Sequence, residues 1–104
     1  VLTLKAEGEK CEAMEGLITE ANEAIGKYSD PLVRDAALIA SVQKIEHYEI
    51  TAYGTMRTMA EVLGRLQCAE WLEQSKDEEA EIDEKLTALA EKINLQASET
   101  PAVV

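Results

Sequence analysis

With 104 residues, 46% of them hydrophobic and 4% aromatic, five glycines and two prolines, the chain has room for one small domain of mainly helical character. A net charge of −11 suits phosphate backbones poorly, since their binding rests on Lys and Arg contacts, so no nucleic-acid partner is expected. No run approaches the roughly 18 apolar residues of a membrane span, and no basic segment followed by an apolar one marks a leader peptide, so a soluble cytoplasmic protein with no membrane partner is expected.

A helical protein of this size buries a limited core and often leans on an oligomer or a bound ion for part of its stability. The chain begins with Val1 rather than Met, which points to a processed or partial polypeptide. Its first ten residues, rich in Lys, Glu and Gly, read as an extended lead-in.

The first helix is expected over residues 9–26, where Cys11, Met14, Ile18, Ala21 and Ile25 recur at steps of three and four and so share one face. Gly26 closes it. Asp30 then supplies an N-cap and Pro31 a first helical position at which its missing N–H is harmless. A second helix is expected over 31–63, with a seam of Asp35, Ile39, Val42, Glu46, Glu49, Tyr53, Met56, Ala60 and Leu63, and Gly64 as its stop. The third, over 66–95, carries a matching seam of Cys68, Leu72, Ser75, Glu79, Ile82, Leu86, Leu89 and Ile93. So short a connection forces the two long helices into an antiparallel hairpin. Residues 96–104 show no periodicity and read as a flexible tail. The fold class is all-α, a single antiparallel helical bundle domain spanning the chain.

Both cysteines, Cys11 and Cys68, lack metal-ligand spacing and fall on apolar helical faces, so buried reduced thiols are expected. Met56, Met59 and Trp71 read as core, and the acidic runs DEEAE and TEANEA, apart from their seam residues, as solvated faces.

Glu46, Glu49 and Glu79 occupy seam positions that an ordinary hairpin would give to Leu, Ile or Ala. Folding the hairpin about Gly64 sets Glu49 opposite Glu79 and Glu46 opposite Asp83. The four acids then form one layer roughly 20 Å from the turn, at about 1.5 Å per residue. Taking even one carboxylate out of water costs several kcal/mol, against a net stability of about 5–15 kcal/mol. Arg57 lies about two turns from Glu49, and Lys76 and Lys85 sit at the margin of the third helix; none neutralises the whole layer. Metal ions bridged by carboxylates from facing helices would. The competing reading is a twisted hairpin in which one or two of the acids reach solvent.

His47, one residue after Glu46, is turned about 100° off the seam and is expected at the surface or at a dimer contact. Tyr53 could donate its hydroxyl to a carboxylate or simply pack in the core. With one histidine, no nucleophile at a sensible position and no glycine-rich loop, neither a catalytic triad nor a phosphate-binding loop is present.

The segments KCEAMEGLITEANEAI (10–25), VRDAALIASVQKIEHYEITAYGTM (33–56) and DEEAEIDEKLTALA (77–90) resemble the YciE/YciF family of stress-associated, ferritin-like bacterial proteins, over most of residues 10–93. The resemblance implies a ferritin-like four-helix bundle, a homodimer, and a two-metal carboxylate centre with no firmly assigned activity. In related rubrerythrin-like bundles the third helix carries E-x-x-E, matched here by Glu46 and Glu49, and the fourth a glutamate followed by histidine. Here Glu79 is followed by Asp83, and no histidine stands there.

The two earlier helices of the family, which supply a glutamate and an E-x-x-H, have no counterpart ahead of Val1. Either this is the C-terminal portion of a longer protein, the favoured reading, or two copies pair their hairpins. The expected cofactor is a pair of metal ions held by Glu46, Glu49, Glu79 and Asp83, iron first and manganese second, with ferroxidase-like or peroxide-consuming activity. The alternative is a metal-free helical dimer that serves association.

Overall fold

The computed structural model describes residues 7–99, which form three helices: α1 (Glu12–Lys27), α2 (Pro31–Val62) and α3 (Leu66–Ser98). The described residues contain no strand, and no helix among them is long and apolar enough to cross a membrane.

The starts of α1 and α2 and the stop of α2 have local causes. Cys11, in extended backbone, serves as the N-cap of α1, its Sγ accepting from Met14 N–H at 3.5 Å. The helix therefore starts at Glu12, three residues later than periodicity predicts. Glu12 and Glu15 in its first turn and Lys27 in its last complement the helix dipole. Asp30 caps α2, with Oδ1 accepting from Leu32 N–H and Val33 N–H, both at 3.0 Å, and Pro31 occupies the first helical position.

At the far end of α2, Gly64 adopts φ 71°, the single positive φ among the described residues. Its N–H bonds to Glu61 O at 3.0 Å, and Arg65 N–H reaches back to Ala60 O at 2.8 Å, the paired bonds of a Schellman motif. A Cβ at Gly64 would meet nothing within 4 Å, so conformation, not space, calls for glycine here. The third helix runs past the expected residue 95 to Ser98, so residues 96–98 are helical; residues 1–6 and 100–104, including most of the expected lead-in and tail, lie outside the described residues.

The long helices pack antiparallel, and α1 packs on α2. The described body measures 59 × 26 × 14 Å; its thinnest dimension is little more than one helix diameter of about 10–12 Å, so the helices lie side by side in one layer. A helix in such a layer is covered only along its edges, and the buried set is correspondingly small: Ala24, Ile39, Ser41, Glu46, Ala60 and Ala69.

That geometry overturns two expectations. Met56, Met59 and Trp71 are not core but exposed, the last two at 59% and 61%, because none of the described elements lies across their face of the hairpin. Cys68 and Cys11 are exposed thiols rather than buried ones; Cys11 caps a helix end instead of joining its apolar face. Within the acidic run DEEAE, Glu79 is half-buried, as its seam position predicts.

Near the turn, Arg57 bridges the two long helices. It pairs with Glu61 Oε1 at 2.7 Å on its own helix and with Glu73 Oε2 at 2.8 Å on α3, and Lys76 Nζ approaches the other Glu73 oxygen at 3.1 Å. Across the α1–α2 seam, Lys44 pairs with Glu20 at 3.3 Å, and the Tyr48 hydroxyl meets Cys11 Sγ at 3.0 Å.

Candidate functional site

Glu46 and Glu49 stand one turn apart on α2, facing α3, where Glu79 and Asp83 also stand one turn apart. Glu46 is 8% exposed, and its Oε2 is buried with no hydrogen-bond donor. Burial comes first among the causes that push its carboxyl up to about 7, followed by a hydrogen-bonding contact with Glu79 and the charges of Glu79, Glu49 and Asp83. Glu49, half-buried, is raised as well, by burial first, then by its own contact with Glu79 and that residue's charge. The Tyr53 hydroxyl, one turn beyond, is pushed up by burial and by the fields of Glu49, Glu79 and Glu78. Burial and like charge both disfavour the ionised carboxylate, which is why the two effects add.

Glu79 therefore sits between Glu46 and Glu49 and touches both. The register of the hairpin opposes Glu49 to Glu79, as the turn chemistry at Gly64 predicts. The other expected pair is skewed, because Glu46 reaches Glu79 and feels Asp83 only as a nearby charge. Asp83 is drawn to one side by two α2 residues. Gln43 Nε2 donates to Asp83 Oδ1 at 3.3 Å, and His47 Nε2 lies 3.1 Å from Asp83 Oδ2.

The His47 side chain is 68% exposed, which matches its position off the seam, yet it is tied to the acid layer through Asp83. Gln43 and Thr87 escaped sequence reasoning. The signal was present in their spacing, since Gln43 precedes His47 by four residues and Thr87 follows Asp83 by four, placing each pair on one helix face.

The candidate neutralising cations are engaged elsewhere: Arg57 with Glu61 and Glu73, Lys76 with Glu73, and Lys85 with Glu81 at 3.3 Å. Among the described residues, no group of three or more His, Cys, Asp or Glu side chains is disposed as a ready metal-ligand set. The glutamates gather as a cluster of like charge.

Comparison with known proteins matches residues 2–99 to a family described as a domain of unknown function, DUF892. The chain is 55% identical over 87 residues to Protein YciF of Escherichia coli strain K12, a match covering 84% of this chain and 52% of that protein. The crystal structure of the E. coli stress protein YciF superimposes with a TM-score of 0.84 at 49% identity, covering 94% of this chain and 60% of that one. The chain thus spans about half the length of the curated relative it matches. These agreements extend over nearly all of α1, α2 and α3, and the chain is an all-α helical-bundle member of the DUF892 family, of the YciF type.

Proposed function

We propose that Glu46, Glu49 and Glu79 hold metal in a carboxylate centre of a ferritin-like bundle that serves a cytoplasmic stress response. One observation carries the reading. Glu46 is buried with an oxygen that no donor satisfies, two further carboxylates crowd the same place, and the nearby lysines and arginine are paired elsewhere. A buried anion in that position is compensated by a proton or a cation, and all-oxygen donors suit hard ions such as iron(II) and manganese(II).

A pair of such ions would supply redox chemistry towards dioxygen or peroxide. The chain's own contribution is to fix three anionic oxygen donors on two rigid helices and to keep water from one side of them. The remaining ligands belong to further helices, which the family resemblance implies carry a glutamate and an E-x-x-H. Those helices, from a longer chain or from a second copy in a homodimer, would also cover the exposed face that carries Met59 and Trp71. The stress context comes from the YciF relative.

The test is metal analysis of protein purified without chelator and loaded with iron(II) or manganese(II). Retention of about one to two equivalents per chain is expected for a bundle-core site, falling several-fold in Glu79→Gln. Retention below about a tenth of that stoichiometry after loading would refute the reading.

A second reading draws on the Glu46 carboxyl near 7. A proton held by Glu46 would make the cluster tolerable without metal, leaving a helical association module. It predicts the same melting temperature with and without metal.

A further inference from the structure

Gln43 of α2 reaches across the hairpin to a single turn of α3. Its Nε2 donates to Thr87 Oγ1 at 2.9 Å, to Asp83 Oδ1 at 3.3 Å and to the Asp83 carbonyl at 3.4 Å, so the two amide hydrogens serve three acceptors. The Thr87 hydroxyl donates its own proton to the same Asp83 carbonyl at 3.1 Å, which leaves its oxygen to accept from Gln43. Every donor and acceptor role is consistent. Gln43 is half-buried, and a bond to a carboxylate is stronger than one between neutral groups.

Position gives this contact its weight. The hairpin is covalently closed at Gly64, and Gln43 stands roughly 30 Å away along α2, at about 1.5 Å per residue. Between them lies the acid layer, where the charges of Glu79 and Asp83 act across the hairpin on Glu46, and like charges on facing helices push those helices apart. On the turn side of that layer Arg57 Nε pairs with Glu73 Oε2 at 2.8 Å, and both Ala60 and Ala69 are buried. From the layer outward apolar burial is thin. Ile39 is buried on α2, but Ile82, Leu89 and Leu95 of α3 are 43%, 46% and 64% exposed. Area left in water contributes no hydrophobic stabilisation, so the polar contact supplies a large share of the closure there.

We propose that Gln43 is a latch: its bonds to Asp83 and Thr87 hold shut the half of the α2–α3 hairpin beyond the acid layer, and that half opens as a unit, uncovering Glu46, while the turn half stays closed. The device works with no metal at the acid layer. Local opening of this kind occurs where buried apolar contacts are few, and the latch sets how often it happens. Gln43 thereby controls solvent access to a carboxyl that the closed hairpin keeps only 8% exposed.

The experiment is amide hydrogen exchange of the full chain in chelator, read by mass spectrometry over residues 35–47 and 82–95 of the outer half and 54–75 of the turn half. Gln43→Leu, of similar size but without a donor, should speed exchange in the outer half about ten-fold and leave the turn half within about two-fold of wild type. Thr87→Val, at an exposed position, removes one acceptor and should give a smaller acceleration in the same segments. It keeps the test valid if Gln43→Leu folds poorly, which circular dichroism identifies. Carbodiimide labelling of carboxyls, read at Glu46, should rise in Gln43→Leu by a factor similar to that of the outer-half amides. Unchanged exchange in both variants would overturn the latch. Equal acceleration in both halves would overturn it too, since the hairpin would then open only as a whole. Faster outer-half exchange with unchanged labelling of Glu46 would overturn the control of access.

Discussion

Glu46 of α2 and Glu79 of α3 face each other across the hairpin, and after burial Glu79 is the chief cause that raises the Glu46 carboxyl. Two acids in that relation make the metal-free fold sensitive to pH in a definite direction. Below about pH 4.5 Glu46 carries its proton in both the folded and unfolded chains. Between there and about 7 the unfolded chain releases the proton while the folded chain keeps it. The folded state then binds more protons, and stability falls as pH rises. Above about 7 both states are ionised and the loss is complete. The displacement from 4.5 to about 7 corresponds to on the order of 3 kcal/mol, a sizeable share of the roughly 5–15 kcal/mol typical of a domain. Urea denaturation in chelator across this range should show the decline, and Glu46→Gln should flatten most of it. A wild-type profile that rises with pH would contradict the description of Glu46 as a buried carboxyl that keeps its proton.

Metal should reverse that penalty, and Glu49→Leu separates the two effects. A leucine of similar volume removes one of the like charges around Glu79. The metal-free protein should therefore gain stability, at the lower end of the about 1–4 kcal/mol seen when buried charges are replaced by apolar residues, because Glu49 is only half-buried. The same change should abolish any rise in melting temperature on adding iron(II) or manganese(II), since a ligand that stabilises the fold must bind it. Calorimetry with and without metal reads both. If Glu49→Leu lowered the melting temperature of the metal-free protein, the carboxylate would be making a specific protein contact.

The acid layer was legible in the sequence to the extent that turn chemistry sets register. Asp30-Pro31 marks where α2 begins and Gly64 where it ends, and those two marks suffice to oppose Glu49 to Glu79. The displacement of Asp83 was not legible, because it depends on Gln43 and His47, whose polar groups leave the seam by a fraction of a turn. Coverage was the other gap. An apolar stripe at helical spacing says that a face can be buried, not that anything lies on it, so Met59 and Trp71 read as core while the single-layer structure leaves them open.

Gly64→Ala tests the register device itself. At φ 71° an L-residue carries a penalty of roughly 1–2 kcal/mol, and nothing nearby would compensate, since the space for a Cβ is empty. Urea denaturation should show a loss of that size with an unchanged m-value. A loss well below it would mean that the turn relaxes to another geometry at little cost, and the opposition of Glu49 to Glu79 would then owe less to Gly64 than to packing along the hairpin.

Arg57 supplies the complementary test, because it is the basic residue on α2 nearest the turn side of the acid layer and yet stands about two turns, roughly 11–12 Å, from Glu49 along the axis. Its guanidinium is held by Glu61 and Glu73, so its charge ties α2 to α3 and does not serve the buried glutamates. Arg57→Leu should cost at most about 1 kcal/mol, as partly exposed ion pairs do. A double-mutant cycle with Glu73→Gln should recover most of that as coupling between the two residues. The pH dependence of the metal-free protein and its metal stoichiometry should both stay at wild-type values. A marked upward displacement of the pH-dependent decline in Arg57→Leu would instead identify the guanidinium as a long-range counter-charge to Glu46 and Glu49, and the case for a cation at that layer would weaken accordingly.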